Sequence, residues 1–341
     1  MSLRVLRPGV LATVQDLGRP GLAHLGIVPG GAMDPVSHRI ANALVGNRTD
    51  AATLEIALSG PELMLGCDAL LALHGARFTA EIDGVAFPQS RPVLVPKGAR
   101  LRVGRAACGC FGHLAVAGGV HVESVLGSRS THLAGSFGGW RGKALARDVE
   151  LPLAADAEAL ARTRFARLAA GRRALAVGRC ETVRWRAPAV TLPQHDESVI
   201  RAVEGLHAAL FDDATRERFY GDSWRIAADS NRMGFRLQGP QLELARPTEI
   251  LSQPTCLGTV QVPPAGQPIV LMVDHQTTGG YPRIAEVIAA DVPRLAQSTP
   301  RATLRFAPVT LTEADAAREA LCTRIDRLVD RILWEFGDED D

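Results

Sequence analysis

The chain has 341 residues, 46% of them hydrophobic and 22% charged, with a formal net charge of +1. That length suits two domains with a core each, and that charge offers no field to recruit nucleic acid or an anionic membrane surface. Of the 38 basic residues only Lys97 and Lys143 are lysines, so a lysine nucleophile has two candidate positions.

No apolar run approaches the roughly 18 residues that span a bilayer. The opening "MSLRVLRPGV" has no apolar core or cleavage site of a secretion signal, so a cytoplasmic location is expected. The six cysteines are scattered, and no cysteine or histidine pair stands at zinc-site spacing, so no metal is expected.

In chain order, the first notable stretch is "TVQDLGRPGLAHLGIVPGGAMDP", Thr13 to Pro35, an aperiodic loop. Gln15, Asp16 and Arg19 there offer donor, acceptor and cation, and the glycines let backbone approach a ligand. The plainer alternative is a well-turned loop with Asp16 capping local amides. "DPVSHRIANALVGN", Asp34 to Asn47, predicts a helix with Pro35 in its first turn and a Gly-Asn stop.

Residues 54–65, "LEIALSGPELML", alternate into a Gly-Pro and out again, and residues 234–244, "GFRLQGPQLEL", do the same. Both read as strand, turn, strand. Further strands begin at Ile82 and Val260, and each is followed by a glycine-rich stretch, "GCFGHLAVAGG" and "TTGGYPRIAEV". Three matches in one order predict a duplicated domain, mostly strand, of barrel or sandwich type. "ALHGA" around His74 reads as a core histidine between strands.

"LGSRSTHLAGSFGG", Leu126 to Gly139, sets Ser128, Ser130 and Thr131 around Arg129, a group suited to a carboxylate or phosphate. Ala154 to Gly171 predicts a connector helix. "SNRMGFRLQGP" places Arg232 in a similar Ser, Asn and Gly setting. "DHQTTGGYPRI", Asp274 to Ile284, follows an apolar strand and offers Gln276, Thr277, Thr278 and Tyr281 to a planar ligand rich in C=O and N–H. A hairpin turn with surface threonines explains its glycines but not the clustering of polar groups. The segment Thr312 to Phe336 predicts a helix, opened by a capping box at Thr312 with Asp315 in the acid's place. Its stripe of Leu321, Ile325, Leu328 and Ile332 either docks on the C-terminal barrel or meets a partner.

The motifs "TVQDLGRPG", "GAMDP", "NALVGN", "LGSRST", "RMGFRL", "VQVPPAGQPIVLM" and "QTTGGYPRIA" run in order along nearly the whole chain. With them the chain resembles a family that takes in allophanate hydrolase subunit 2, the C-type subunit of the prokaryotic 5-oxoprolinase and the matching half of the urea carboxylase carboxyltransferase domain. The resemblance implies two cyclophilin-like β-barrels. Expected boundaries are 1–150 for the first barrel, 151–178 for a helical connector, 179–310 for the second barrel and 311–341 for a helix with an acidic tail. The chain departs from the family at Asn231, where the family carries Asp, and at His132, where it carries an aromatic residue. Its terminal helix is also longer than expected.

The resemblance implies a subunit that acts with a subunit-B-like partner and a lactam-handling, subunit-A-like partner to open 5-oxoproline to L-glutamate with ATP. No amidase-type serine–lysine signature is present to hydrolyse allophanate, and the ATP site is not assignable to this chain. In this reading Arg129, Arg232 and Gln276 are catalytic: the arginines neutralise developing charge, and Gln276 orients the amide. Gln15, Asp16, Arg19, Ser128, Ser130, Thr131, Thr277, Thr278 and Tyr281 bind substrate. Two other readings stay open: a biotin-dependent carboxyltransferase component acting on urea or another amide, with biotin on a separate carrier, and a non-catalytic regulatory module.

Overall fold

The computed structural model describes residues 1–170, 174–193, 197–246 and 248–337. The expected glycine stop at position 171 and the acidic tail at 338–341 lie outside the described residues. The chain divides into two compact units. One holds Met1–Gly18, Asp34–Leu192 and Arg324–Asp341, and the other holds Arg19–Met33 and Pro193–Thr323.

In the first unit the strands are β1 (Ser2–Arg7), β2 (Leu11–Gln15), β3 (Thr53–Ala57), β4 (Glu62–Leu65), β5 (Ala69–Ile82), β6 (Val85–Ala86), β7 (Val93–Val95), β8 (Arg100–Val116), β9 (Glu150–Pro152), β10 (Leu175–Val177) and β11 (Cys180–Thr182). They form one branched sheet of order β10-β11-β7-β5-β8-β4-β1-β9, with β3 paired to β8, β2 to β3 and β6 to β5. Alternation along β5 and β8 buries Leu71, Leu73, Phe78, Leu101 and Leu114 on one face, the core of the unit.

The Gly-Pro at 60–61 is not a hairpin turn. Leu54–Ala57 pairs with Phe111–Leu114, and Glu62–Met64 pairs with Arg100–Arg102, so β3 and β4 are two lengths of one path along β8. The break falls where β8 bulges. Glycine is needed there because a Cβ on Gly60 would stand 2.6 Å from the Val103 side chain.

Helix α1 (Pro35–Ala43) starts as expected: the Asp34 carboxylate accepts from Ser37 N, and Pro35 fills the first turn. Helix α2 (Ala157–Ala169) buries Ala161, Phe165 and Leu168 against this unit, and β11 pairs with β7. The expected connector is therefore part of the first unit, which extends to Leu192.

In the second unit β12 (Glu197–Glu204), β13 (Ser223–Ile226), β14 (Gly234–Gln238), β16 (Thr259–Gln261), β17 (Ile269–Leu271), β19 (Arg283–Val287) and β20 (Thr303–Pro308) close a barrel of order β12-β19-β16-β17-β14-β13-β20. The pair β12/β20 is parallel and seals it. Strands β15 (Gln253–Pro254) and β18 (Thr278–Gly279) form a separate ribbon. Trp224, Phe235, Val260, Val270, Leu304 and Phe306 fill the interior, with Phe219 of α3 (Asp213–Gly221) stacked on Phe306 at 4.5 Å between ring centres. The chain after Gly239-Pro240 leaves the barrel without a returning strand. The mainly β class holds, but the matched repeats hold only in part: Gly234–Gln238 is a strand with no strand directly after its Gly-Pro among the described residues, and Ile82 ends β5 instead of opening a strand.

A short helix α4 (Val292–Ala296) precedes β20, and α5 (Leu311–Trp334) ends the described chain. Its capping box is Thr310 with Glu313, two residues earlier than read from the sequence: the Glu313 carboxylate accepts from Thr310 N and Oγ1 at 2.8 Å each. Ile325, Val329 and Ile332 are the buried positions of α5. From Arg324 onward the helix belongs to the first unit, not to the C-terminal barrel, and Arg39 pairs with Asp326 at 2.7 Å.

Candidate functional site

Six of the expected site residues meet in the first unit. Asp16, 8% exposed, is the hub. Its carboxylate accepts from Gly18 N at 2.8 Å, Ser128 Oγ at 2.6 Å, Arg129 N at 2.5 Å and Ser130 Oγ at 2.6 Å. Asp16 N donates back to Ser130 Oγ at 2.9 Å. Thr131 Oγ1 donates to Val14 O, and Gln15 Nε2 donates to Thr13 Oγ1 and Thr131 O. Three of these donors converge on Oδ1, and the Arg129 N–H alone reaches Oδ2. The serine and threonine hydroxyls expected to bind substrate instead bind Asp16 and the backbone. Arg129 alone is exposed, with Nε donating to Val122 O at 3.0 Å.

The other six lie in the second unit. Arg19 is buried at 2% exposure. Arg232, 4% exposed, forks onto Asp274 through Nε at 2.8 Å and Nη2 at 3.1 Å, and Nη2 also donates to Gly31 O at 2.7 Å. Its charge has a buried partner within the fold, the Asp274 carboxylate. The pair anchors the entry to the loop 274–281.

That loop is pinned at its backbone. Gln276 O accepts from the Thr255 hydroxyl and from His275 Nδ1 at 2.7 Å, and Thr277 O accepts from Thr255 N at 3.0 Å. Burial lowers the His275 pKa, so the ring is neutral at pH 7. Thr278 and Gly279 pair with Pro254 and Gln253, leaving Thr278 exposed and Tyr281 45% exposed. The Gln276 side chain is half-buried and donates from Nε2 to Gln261 Oε1 at 3.3 Å.

Gln261 and its neighbours were missed by sequence reasoning. On β16 and β19, Thr259 faces Glu286, and Gln261 faces Arg283, with a bulge between that turns Arg283 to the same face as Glu286. Cys256 Sγ lies 3.3 Å from Thr259 Oγ1 and 3.5 Å from Glu286 Oε2. Burial raises the pKa of both the Cys256 thiol and the Glu286 carboxyl. The thiol is therefore protonated and a poor nucleophile. The available signal was polar residues inside apolar strand runs, Gln261 between Val260 and Val262 and Arg283 before Ile284. Among the described residues no group of His, Cys, Asp and Glu could hold a metal ion, and no helix is long and apolar enough to cross a membrane.

The chain matches the carboxyltransferase domain, subdomain A and B, over residues 25–308, and it belongs to that family. It is 37% identical over 337 residues to the C-type subunit of the 5-oxoprolinase of Escherichia coli K12, covering 99% of both chains. It is 28% identical to the urea amidolyase of Saccharomyces cerevisiae, covering 94% of this chain and 17% of that one. The crystal structure of the K. lactis urea amidolyase superposes with a TM-score of 0.84 at 30% identity, over 96% of this chain and 20% of the other. The chain thus spans about a fifth of that fungal protein.

Proposed function

We propose that this chain is the C-type subunit of an ATP-dependent 5-oxoprolinase, active only with a subunit-B-like and a subunit-A-like partner, and that it helps open 5-oxoproline to L-glutamate. The observation that carries this reading is coverage. The likeness to the E. coli subunit runs over 99% of both chains, whereas the amidolyase likeness takes in a small part of a much longer protein.

Within that activity the loop 274–281 is the substrate-facing element of the second unit. Gln276 stands on a fixed backbone with an amide able to donate and accept, and Thr277 and Thr278 follow it on the same ribbon. A planar lactam amide presents one acceptor and one donor, which an amide side chain can meet in complement. Arg129 supplies an exposed guanidinium in the first unit for an anionic group. Arg232 acts indirectly by holding Asp274 and so the start of the loop. ATP belongs to the complex, and no site for it is assigned to this chain.

ATP-dependent release of glutamate from 5-oxoproline by the three reconstituted subunits is the test. Turnover should vanish when this chain is left out, and undiminished turnover without it would refute the reading. Membership of the carboxyltransferase family leaves one second reading, carboxyl transfer from carboxybiotin to an amide nitrogen with release of biotin. A separate biotin carrier would then be required, and transfer from free carboxybiotin derivatives is its direct assay.

A further inference from the structure

Gln261 is 1% exposed and Arg283 is 7% exposed. As register partners across β16 and β19 they stand on the same face of the ladder. Gln261 Oε1 accepts from Gln276 Nε2 at 3.3 Å, which turns the Gln261 amino group away from Gln276. That Nε2 and the Arg283 Nε are both buried donors with no acceptor among the described residues. The far end of Arg283 is fixed by Nη2 donating to Pro254 O at 2.6 Å.

Buried donors are nearly always paired, and one left without an acceptor weakens the fold. Two on one face, beside a substrate-facing loop, need a reason. Packing does not supply it, because an aliphatic side chain at either position would remove the penalty. A second feature points the same way. Gly279 lies against the Gln261 amide, and a Cβ there would stand 2.6 Å from Gln261 Nε2 and 3.4 Å from Gln276 Nε2. Glycine lets the chain lie against that donor without displacing it, as any side chain there would.

We propose that Gln261 and Arg283 form a two-donor cradle for an sp2 oxygen of the substrate, either an amide carbonyl or one oxygen of a carboxylate. Gln276 sets the orientation of Gln261, so it positions one donor of the cradle as well as facing the substrate itself. The guanidinium adds positive charge on the side where a carbonyl oxygen gains electron density under attack. The cradle rests on the reading of loop 274–281 as substrate-facing, but not on which complex the chain serves.

The test titrates the full chain, alone and in the co-purified complex, with three probes by calorimetry. 5-Oxoproline carries both groups, 2-pyrrolidone only the lactam carbonyl, and cyclopentanecarboxylate only the carboxylate. Binding of 5-oxoproline and of at least one single-group probe is expected, and whichever binds identifies the oxygen. Gln261→Glu replaces the donor by an acceptor of the same shape and should raise the Kd at least tenfold. Should that variant fail to fold, Gln261→Met removes the donor without adding charge. Gly279→Ala should give a similar loss by pushing aside the flexible end of Gln261 while leaving the barrel intact. Arg283→Lys keeps the charge, loses the Nε donor, and should weaken binding less. The proposal is overturned if no probe binds either preparation, or if folded Gln261 and Gly279 variants bind 5-oxoproline as the wild type does. Glutamate formation that needs this chain yet ignores Gln261 would sink the cradle and leave the 5-oxoprolinase reading. Probe binding through Gln261, with glutamate formation indifferent to the chain, would do the reverse.

Discussion

The Asp16 knot and the Gln261–Arg283 face are alike in kind: buried polar groups on strands, next to glycine-rich loops. They differ in how completely their hydrogen bonds are satisfied. Asp16 receives four donors from Gly18, Ser128, Arg129 and Ser130, all from its own unit. On β16 and β19 the surplus runs the other way, with donors that have no acceptor among the described residues. The Asp16 carboxylate has its donors, although Gln15 Oε1 beside it is a buried acceptor with no partner among the described residues; on β16 and β19 it is donors that are left over, a cost that folding alone does not explain. The first is therefore a structural tie between the loop after β2 and the Ser128–Thr131 segment, and the second is the place to look for a ligand.

The largest expected effect sharpens the structural side. His38 and His74 lie fully buried in the first unit, and burial lowers each pKa from 6.5 to about 4. For His38 the Asp16 and Asp50 carboxylates oppose that shift without overcoming it. Asn42 Nδ2 donates to His38 Nε2 at 3.2 Å, so the neutral ring donates from Nδ1 to Thr53 Oγ1 at 3.0 Å. The sign follows from linkage. The unfolded chain takes up these protons first as pH drops below 6.5, so the stability contribution is complete above that pH and lost on the way to about 4. Each histidine then accounts for about 3 kcal/mol, at roughly 1.4 kcal/mol per pH unit. Hydrogen exchange at pH 7 and pH 4.5 should show the first unit losing protection well before the second. Equal loss in both would mean that the histidines are not the acid-sensitive element.

Asp16→Ala tests the knot itself. It leaves two hydroxyls and two backbone N–H groups without their acceptor, at roughly 3 kcal/mol or more if even part of the cost of each is realised. Urea unfolding should show a clear drop in midpoint. A variant that melts like the wild type but loses glutamate formation would reverse the assignment and make Asp16 a substrate ligand.

The mainly β class was legible because it is written locally, in alternation and in Gly and Pro breaks. The start of α1 was legible for the same reason, since Asp34 and Pro35 are both in the sequence beside it. Barrel closure was not, because it depends on β12 meeting β20 in parallel about a hundred residues later. Site chemistry was hidden by the same distance. Arg129 and Arg232 sit in similar Ser and Gly settings, yet Arg232 has its carboxylate 42 residues on, at Asp274. For Gln261 the local signal, a polar residue inside an apolar strand run, is ambiguous, because a glutamine between two valines also reads as the solvent side of a strand. Its burial comes from the chain around Gly279 lying against it.

On the ligand side, Gln276→Ala removes the group that hydrogen-bonds Gln261, and with it the amide proposed to face the substrate. Leaving a buried ligand group unpaired costs roughly 1 to 3 kcal/mol, or about ten- to a hundredfold in kcat/KM. The melting temperature should barely move, since the side chain is half-buried and fills no core volume. If Gln276→Ala instead unfolds the protein, and the folded remainder keeps full activity, the loop is structural and the contrast with the Asp16 knot disappears.

The smallest effect is expected at Thr278, where the contrast is most finely divided. Thr278 is exposed and sits on the two-residue strand β18, paired with Pro254. Valine is as good a strand former as threonine, so Thr278→Val should leave stability unchanged. Its hydroxyl can be replaced by water if the ribbon stays wet, so the loss in kcat/KM should be no more than about threefold. Steady-state kinetics of Thr278→Val and Gln276→Ala in the same complex make the comparison direct. A loss at Thr278 equal to that at Gln276 would mean that the exposed hydroxyl becomes buried against substrate or partner. The ribbon would then pack against substrate or partner in the working complex, and the division between Gln276 and Thr278 would fall.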